Sequence, residues 1–147
     1  MPAPAPKRLD GPPTTPAPIA YSAAELDRLA LAIAGEARGE GEEGMTAVAH
    51  VAINRLRTGF KGAKSLDDVL QPKQFNGLEG QDIPPEDLQR ARAVALAVLS
   101  GETPDPTGGA RHYYAPRRMS KGEPPKWAAE GTLSATIGSH RFYTGVR

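Results

Sequence analysis

Two carboxylates four residues apart, Glu36 and Glu40, stand in the run Gly35-Glu36-Ala37-Arg38-Gly39-Glu40. On a continuous helix such a pair shares one face, with Cβ atoms about 5–6 Å apart. That spacing invites comparison with the carboxyl pair of a retaining glycosidase, about 5–5.5 Å apart. Gly39 breaks the comparison, because it ends the helix and a sugar must fit between the two groups. Glu36 alone is the stronger candidate. Leu26, Leu29, Ala30, Ile33, Ala34 and Ala37 form the apolar stripe of a helix, and Glu36 falls roughly 20° from Leu29 on its wheel. A carboxylate on the shoulder of a core-facing stripe is costly to ionise. A glutamate in that setting keeps a proton to donate near neutral pH, as a general acid must. The plain alternative is a helix-edge glutamate in a solvated ion pair with Arg38 or Arg55.

Other chemistries find less support. A metal reading of Glu36, Glu40 and His50 lacks an HExxH motif or clustered histidines, and the chain has no cysteine. His50 reads as a packed or surface histidine rather than a ligand. No nucleophile elbow supports Ser/His/Asp catalysis. The glycine-rich stretch from Gly39 to Gly44 holds Glu40, Glu42 and Glu43, which repel phosphate. What remains is one acid, several neutral polar groups, and aromatic rings, the residue types that hold sugars. Tyr113, Tyr114, Gln74, Thr107 and Asn54 are the candidate glycan-binding residues, with Trp127 of the same type; each alone is more often structural.

These residues need elements to position them. Ser22-Ala23-Ala24-Glu25 is a capping box opening the first helix. Glu42 and Glu43 suit the first turn of a second helix, whose stripe is Met45, Val48, Ala49, Ala52 and Leu56 and whose C′ residue is Gly59. Ser65 caps a short helix over residues 65–70. Pro85 at the first helical position, followed by Glu86 and Asp87, starts a long helix with Leu88, Ala91, Ala95, Val98 and Leu99 on its stripe. Beyond Gly101, residues 105–109 are turn chemistry and Arg111 to Tyr114 read as a short strand. Residues 133–137 and 140–144 flank Gly138-Ser139 as a hairpin. The expected fold is α+β, mostly helical with a small C-terminal antiparallel β element. Residues 1–20 are expected to be a Pro/Ala-rich disordered tail or linker, and residues 21–147 one catalytic domain.

Composition narrows the partners. The longest apolar runs fall short of the ~20 residues of a membrane span. The first 20 residues carry basic side chains but not the apolar stretch of a secretory signal. Residues 21–110 carry 9 basic and 14 acidic side chains, a net of −5; residues 111–147 carry 7 basic and 2 acidic, a net of +5. The basic quarter suits an anionic polymer. The acidic remainder argues against nucleic acid.

The segments IAGEARGEGEEGMTAVAHVAINRLR, DDVLQPKQF, SGETPDPTGGARHYYAP and ATIGSHRF, in that order, resemble the SleB-like cell-wall hydrolases of the spore-cortex-lytic and phage-lysin type. The resemblance covers roughly residues 25–143. It implies a lysozyme-like α+β fold, cleavage of the β-1,4 bond between N-acetylmuramic acid and N-acetylglucosamine in peptidoglycan, and a catalytic glutamate at Glu36. The chain departs from the family pattern at Arg111-His112 and at Ala115. The reading that follows is a lytic transglycosylase without metal or cofactor, acting on peptidoglycan as a monomer. A phage endolysin held in the host cytoplasm, a virion-borne lysin tethered by the Pro-rich tail, or a bacterial enzyme trimmed of its signal fits the absent signal. A hydrolytic muramidase with a second carboxylate and a non-catalytic glycan-binding module are the alternatives.

Overall fold

The computed structural model describes residues 18–71 and 82–146, with Arg38 described by its backbone alone. Gln74 lies outside the described residues, as do residues 1–17 of the expected tail. Within the rest of that tail, the chain already joins the fold: the Ile19 amide donates to the Leu99 carbonyl at 2.9 Å, and its side chain packs on the core.

Helix α1 spans Ala23–Ala37. Its capping box forms as the sequence requires, with the Ser22 amide donating to Glu25 Oε1 at 3.0 Å and the Glu25 amide to Ser22 Oγ at 3.1 Å. A single 3-10 turn, Arg38–Glu40, ends it, and Gly41 at φ +80° turns the chain into α2, Gly41–Thr58. A left-handed Gly59 closes α2, its amide donating to the Arg55 and Leu56 carbonyls. Helix α3, Leu66–Val69, is capped by Ser65 Oγ, which accepts from the Asp68 amide. Helix α4, Pro85–Leu99, starts on its proline.

Helices α1, α2 and α4 pack together around α2, which is buried from Gly44 to Ile53 apart from Thr46. The stripe expected for α2 was too narrow, because neighbours cover it on several sides; His50 is fully buried within it. Leu29, Ile33, Met45, Ile53 and Leu99 are sealed in this core together with Phe142 from the sheet. Each such side chain contributes about 1.5–3 kcal/mol by burial.

The sheet has three antiparallel strands: β1, His112–Tyr114; β2, Thr132–Ile137; and β3, His140–Thr144, which lies between them. Pairing of Tyr113 with Phe142 and of Tyr114 with Arg141 sets the register of β1. Because side chains alternate along a strand, Tyr113 shares a face with His140 and Phe142, while His112, Tyr114 and Tyr143 share the other. Between β2 and β3 the register slips at Ser134. The slip is a bulge, and it lets Ser134 Oγ donate to the Thr107 carbonyl at 2.7 Å.

Candidate active site

The last turn of α1 carries Glu36 to the floor of a cleft of about 290 Å³. Arg55 from α2, Tyr113 and Tyr114 from β1, Arg118 and Met119 from the following loop, and His140 from β3 line it with Ala115. Glu36 is 7% exposed, as its place on the shoulder of the apolar stripe requires. The Tyr113 hydroxyl hydrogen-bonds the Glu36 carboxylate. Burial, and then the Glu36 charge and that bond, hold the phenol well above its ordinary pKa of 10.0, so it stays a donor at every physiological pH. Arg118 approaches Glu36 Oε1 at 3.5 Å from the rim, half-exposed.

Arg55 is buried, its Nε donating to the Arg111 carbonyl at 2.8 Å and its guanidinium lying over the Phe60 ring at 4.6 Å. Burial pulls its pKa down to about 10, against the opposing influence of Tyr113 and Glu36, and it remains a cation at neutral pH. His140 is 1% exposed, and neither ring nitrogen has a hydrogen-bond partner among the described residues. Burial lowers its pKa, while Glu40 and Glu36 pull the other way. The site is therefore one carboxyl, a fixed phenol donor, two cations and an imidazole whose charged form is disfavoured.

Glu40 turns elsewhere. Its carboxylate accepts from the Ser139 amide at Oε1 and from Ser139 Oγ at Oε2, both at 2.6 Å. Desolvation would raise its pKa, but the two Ser139 bonds, with His140 and Arg117 nearby, bring it below 4.5. Glycines make room for it. A Cβ on Gly44 would stand 2.3 Å from Glu40 Cβ, and one on Gly138, at φ +58°, would stand 1.9 Å from Glu40 Oε1. So Glu40 ties the turn between α1 and α2 to the β2–β3 hairpin. The hairpin places β3, β3 pairs with β1, and β1 delivers Tyr113 to Glu36.

A second network supports the site from behind. Asp105 accepts from Asn54 Nδ2 at 2.9 Å, from the Thr107 amide and hydroxyl at 2.8 and 2.7 Å, and from the Gly109 amide at 3.0 Å. Asn54 Nδ2 also donates to the Ala110 carbonyl, and Thr107 Oγ1 accepts from the Ala110 amide. This knot pins the segment leading into β1 onto α2. It engages Asn54 from α2 and Thr107 from the loop behind the cleft rather than in it.

Of the residues singled out from sequence, the structure thus gathers Glu36, Tyr113 and Tyr114 in one cleft. Asn54 and Thr107 lie in the Asp105 knot, with Thr107 fully buried. Arg118 and His140 escaped the sequence reading, and Arg55 entered it only as an ion-pair partner. Arg118 is one of several cations in a loop without periodicity, and His140 stood out only as part of the ATIGSHRF segment.

Residues 39–143 match the model of a family described as cell wall hydrolase. The chain belongs to that family. The match opens three residues past Glu36, so the case for that residue rests on the cleft. A spore cortex-lytic enzyme of Oceanobacillus iheyensis is 32% identical over 132 residues, 90% of this chain and 46% of that protein. The cell wall hydrolase CwlJ of Bacillus subtilis is 30% identical over 129 residues, 85% of this chain and 88% of the relative. The chain spans less than half the length of the first two spore cortex-lytic relatives. Among solved structures, the catalytic domain of the Bacillus cereus SleB protein aligns with a TM-score of 0.67 at 28% identity, over 87% of this chain and 95% of that one. The catalytic domain of a germination-specific lytic transglycosylase, SleB from Bacillus anthracis, aligns with a TM-score of 0.68 at 29% identity, over 86% of this chain and 99% of that one. The fold is the lysozyme-like α+β arrangement that the resemblance implied.

Proposed function

We propose that the protein cleaves peptidoglycan glycan strands between N-acetylmuramic acid and N-acetylglucosamine, as a lytic transglycosylase with Glu36 as its acid and base. The observation that carries the mechanism is the lining of the cleft. Among the described residues there, Glu36 is the one carboxylate, and Glu40 is committed to Ser139. An inverting hydrolase needs a second carboxyl about 6.5–9.5 Å away to hold water, and a retaining one needs a nucleophile. A transglycosylase needs neither. Protonated Glu36 donates to the glycosidic oxygen as the bond to the muramoyl C1 breaks. The carboxylate then takes the proton of the muramoyl 6-hydroxyl, whose oxygen closes on C1 to give the 1,6-anhydro ring. Tyr113 holds the carboxyl in place, and Arg55 and Arg118 bear on the negative charge that appears once the proton has left. Tyr114 in the cleft, with Gln74 from the sequence reading, is assigned to positioning glycan, while Asn54 and Thr107 hold the segment behind the cleft through the Asp105 knot.

The substrate class follows the relatives, which are named for the spore cortex and the cell wall. Their sources, Oceanobacillus and Bacillus, favour a bacterial wall enzyme over the phage lysin considered from sequence. Glu36→Gln keeps size and polarity but removes the titrating proton. It should lower wall-clearing activity at least about a hundredfold with the fold intact. Near-normal clearing by the folded variant would rule out Glu36 as the acid, whereas an unmodified protein that binds wall without clearing it would favour the glycan-binding module.

A further inference from the structure

Strand β1 has a second side. Beside the cleft, at the start of that strand, lies an open groove of about 610 Å³ lined by Phe60, Lys61, Arg111, His112 and Trp127 with parts of two turns. Its rings form a continuous series: Phe60 meets His112 edge-on at 5.2 Å, and His112 meets Trp127 at 5.0 Å. Trp127 in turn stands 6.0 Å from Tyr114, a residue of the Glu36 cleft. Two cations flank the rings. Lys61 is exposed and Arg111 half-exposed. Lys61 holds φ +53°, a backbone conformation disfavoured for a residue with a Cβ, and its ammonium lies 5.4 Å from the centre of the Phe60 ring. Burial and the neighbouring Arg55, Arg111 and Lys61 charges pull His112 down to a pKa of about 4, so its imidazole is a neutral flat surface at neutral pH.

We infer that this groove is a second glycan subsite, taking a sugar ring that bears a carboxylate, with the ring on the aromatic series and the carboxylate on Lys61 and Arg111. The assignment rests on the peptidoglycan reading, since it places the groove on the path of the same strand. Aromatic faces and edges are what a pyranose packs on, and a purely neutral glycan would leave Lys61 with the Phe60 ring alone and give Arg111 no opposite charge. Groove and cleft are built from consecutive residues of β1, at about 3.3 Å rise per residue. One strand of sugars therefore passes from Tyr114 to Trp127 without leaving the surface.

Trp127 is the one tryptophan in the chain, so intrinsic fluorescence reads the groove. The titration uses Glu36→Gln protein, so that the probes survive. The probes are soluble peptidoglycan fragments, which carry carboxylates, and N-acetylglucosamine oligomers, which do not. The acidic fragments should move the Trp127 emission at the lower concentration. Lys61→Gly removes a charge and suits the backbone angle, so the fold should hold; Arg111→Gln removes the second charge. Each should weaken the acidic fragment roughly two- to fivefold, the range of an exposed ion pair, and leave the neutral oligomer unchanged. Emission that ignores both probes, or shifts equally for both and survives the two substitutions, would overturn the subsite. Wall clearing by the unmodified protein is measured in parallel. Clearing without the emission change defeats the subsite alone, and absent clearing defeats the peptidoglycan reading beneath it.

Discussion

Removing the Glu40 carboxylate should cost stability rather than chemistry. The side chain is 6% exposed and accepts two short bonds, from the Ser139 amide and hydroxyl. A hydrogen bond to a charged group contributes about 1.5–3 kcal/mol, so the pair is worth roughly 3–6 kcal/mol before desolvation is counted. Burial of the carboxylate opposes this, and alanine escapes that cost. A net loss of about 2–4 kcal/mol follows for Glu40→Ala, which lowers the melting temperature of a chain this size by roughly 6–15 °C. Glu40→Gln keeps one carbonyl acceptor and should lose about half as much. The pH dependence carries the signature. The folded pKa of Glu40 is below its ordinary 4.5, so its stabilisation is complete above the unfolded value and lost as pH falls through the folded one. Calorimetry at pH 7 should show the full gap between unmodified protein and Glu40→Gln, and the gap should close below pH 4.5. Equal melting at pH 7 would refute the tie between helix turn and hairpin. A Glu40→Gln protein that melts normally but no longer clears wall would move the acid from Glu36 to Glu40.

Two further outcomes follow from the same geometry. Tyr113→Phe deletes the hydroxyl that bonds Glu36; it should slow wall clearing roughly tenfold, within the range of a positioned hydrogen-bond donor, and leave melting within a few degrees, whereas unchanged activity would make that tyrosine a packing residue only. His112 should titrate at about 4 in an NMR pH series, and because its folded pKa lies below the ordinary 6.5 its contribution to stability is present above that value and lost as pH falls toward 4; a midpoint near 6.5 would contradict the burial of the ring among cations.

Local signals were legible because they act locally. Ser22 with Glu25, Ser65, Pro85 and Gly59 each fix a helix end through contacts within a few residues, and all four stand where the pattern placed them. Gly138-Ser139 turned the predicted hairpin for the same reason. The burial of Glu36 was readable from helical periodicity, because its neighbours at one and two turns are apolar. Glu40 was different. Its partner Ser139 lies 99 positions away, and no spacing rule links a glutamate at a helix turn to a hairpin turn that distant. The same holds for the cleft, whose Glu36, Arg55, Tyr113, Arg118 and His140 come from five separate places in the chain. Asn54 and Thr107 were noticed for their chemistry, but only the folded chain shows that their partner is Asp105. The bulge at Ser134 left no mark in a strand of ordinary composition.

In the proposed mechanism Glu36 works without a second carboxylate. The most direct test is the mass of the first muropeptides released by purified protein from intact peptidoglycan. Ring closure by the muramoyl 6-hydroxyl predicts products ending in 1,6-anhydromuramic acid, each lighter by one water than its hydrolysed counterpart, from the earliest time point. Reducing-end products from the first minutes, with the anhydro form absent, would contradict the account and require a water-holding base that the described cleft does not contain.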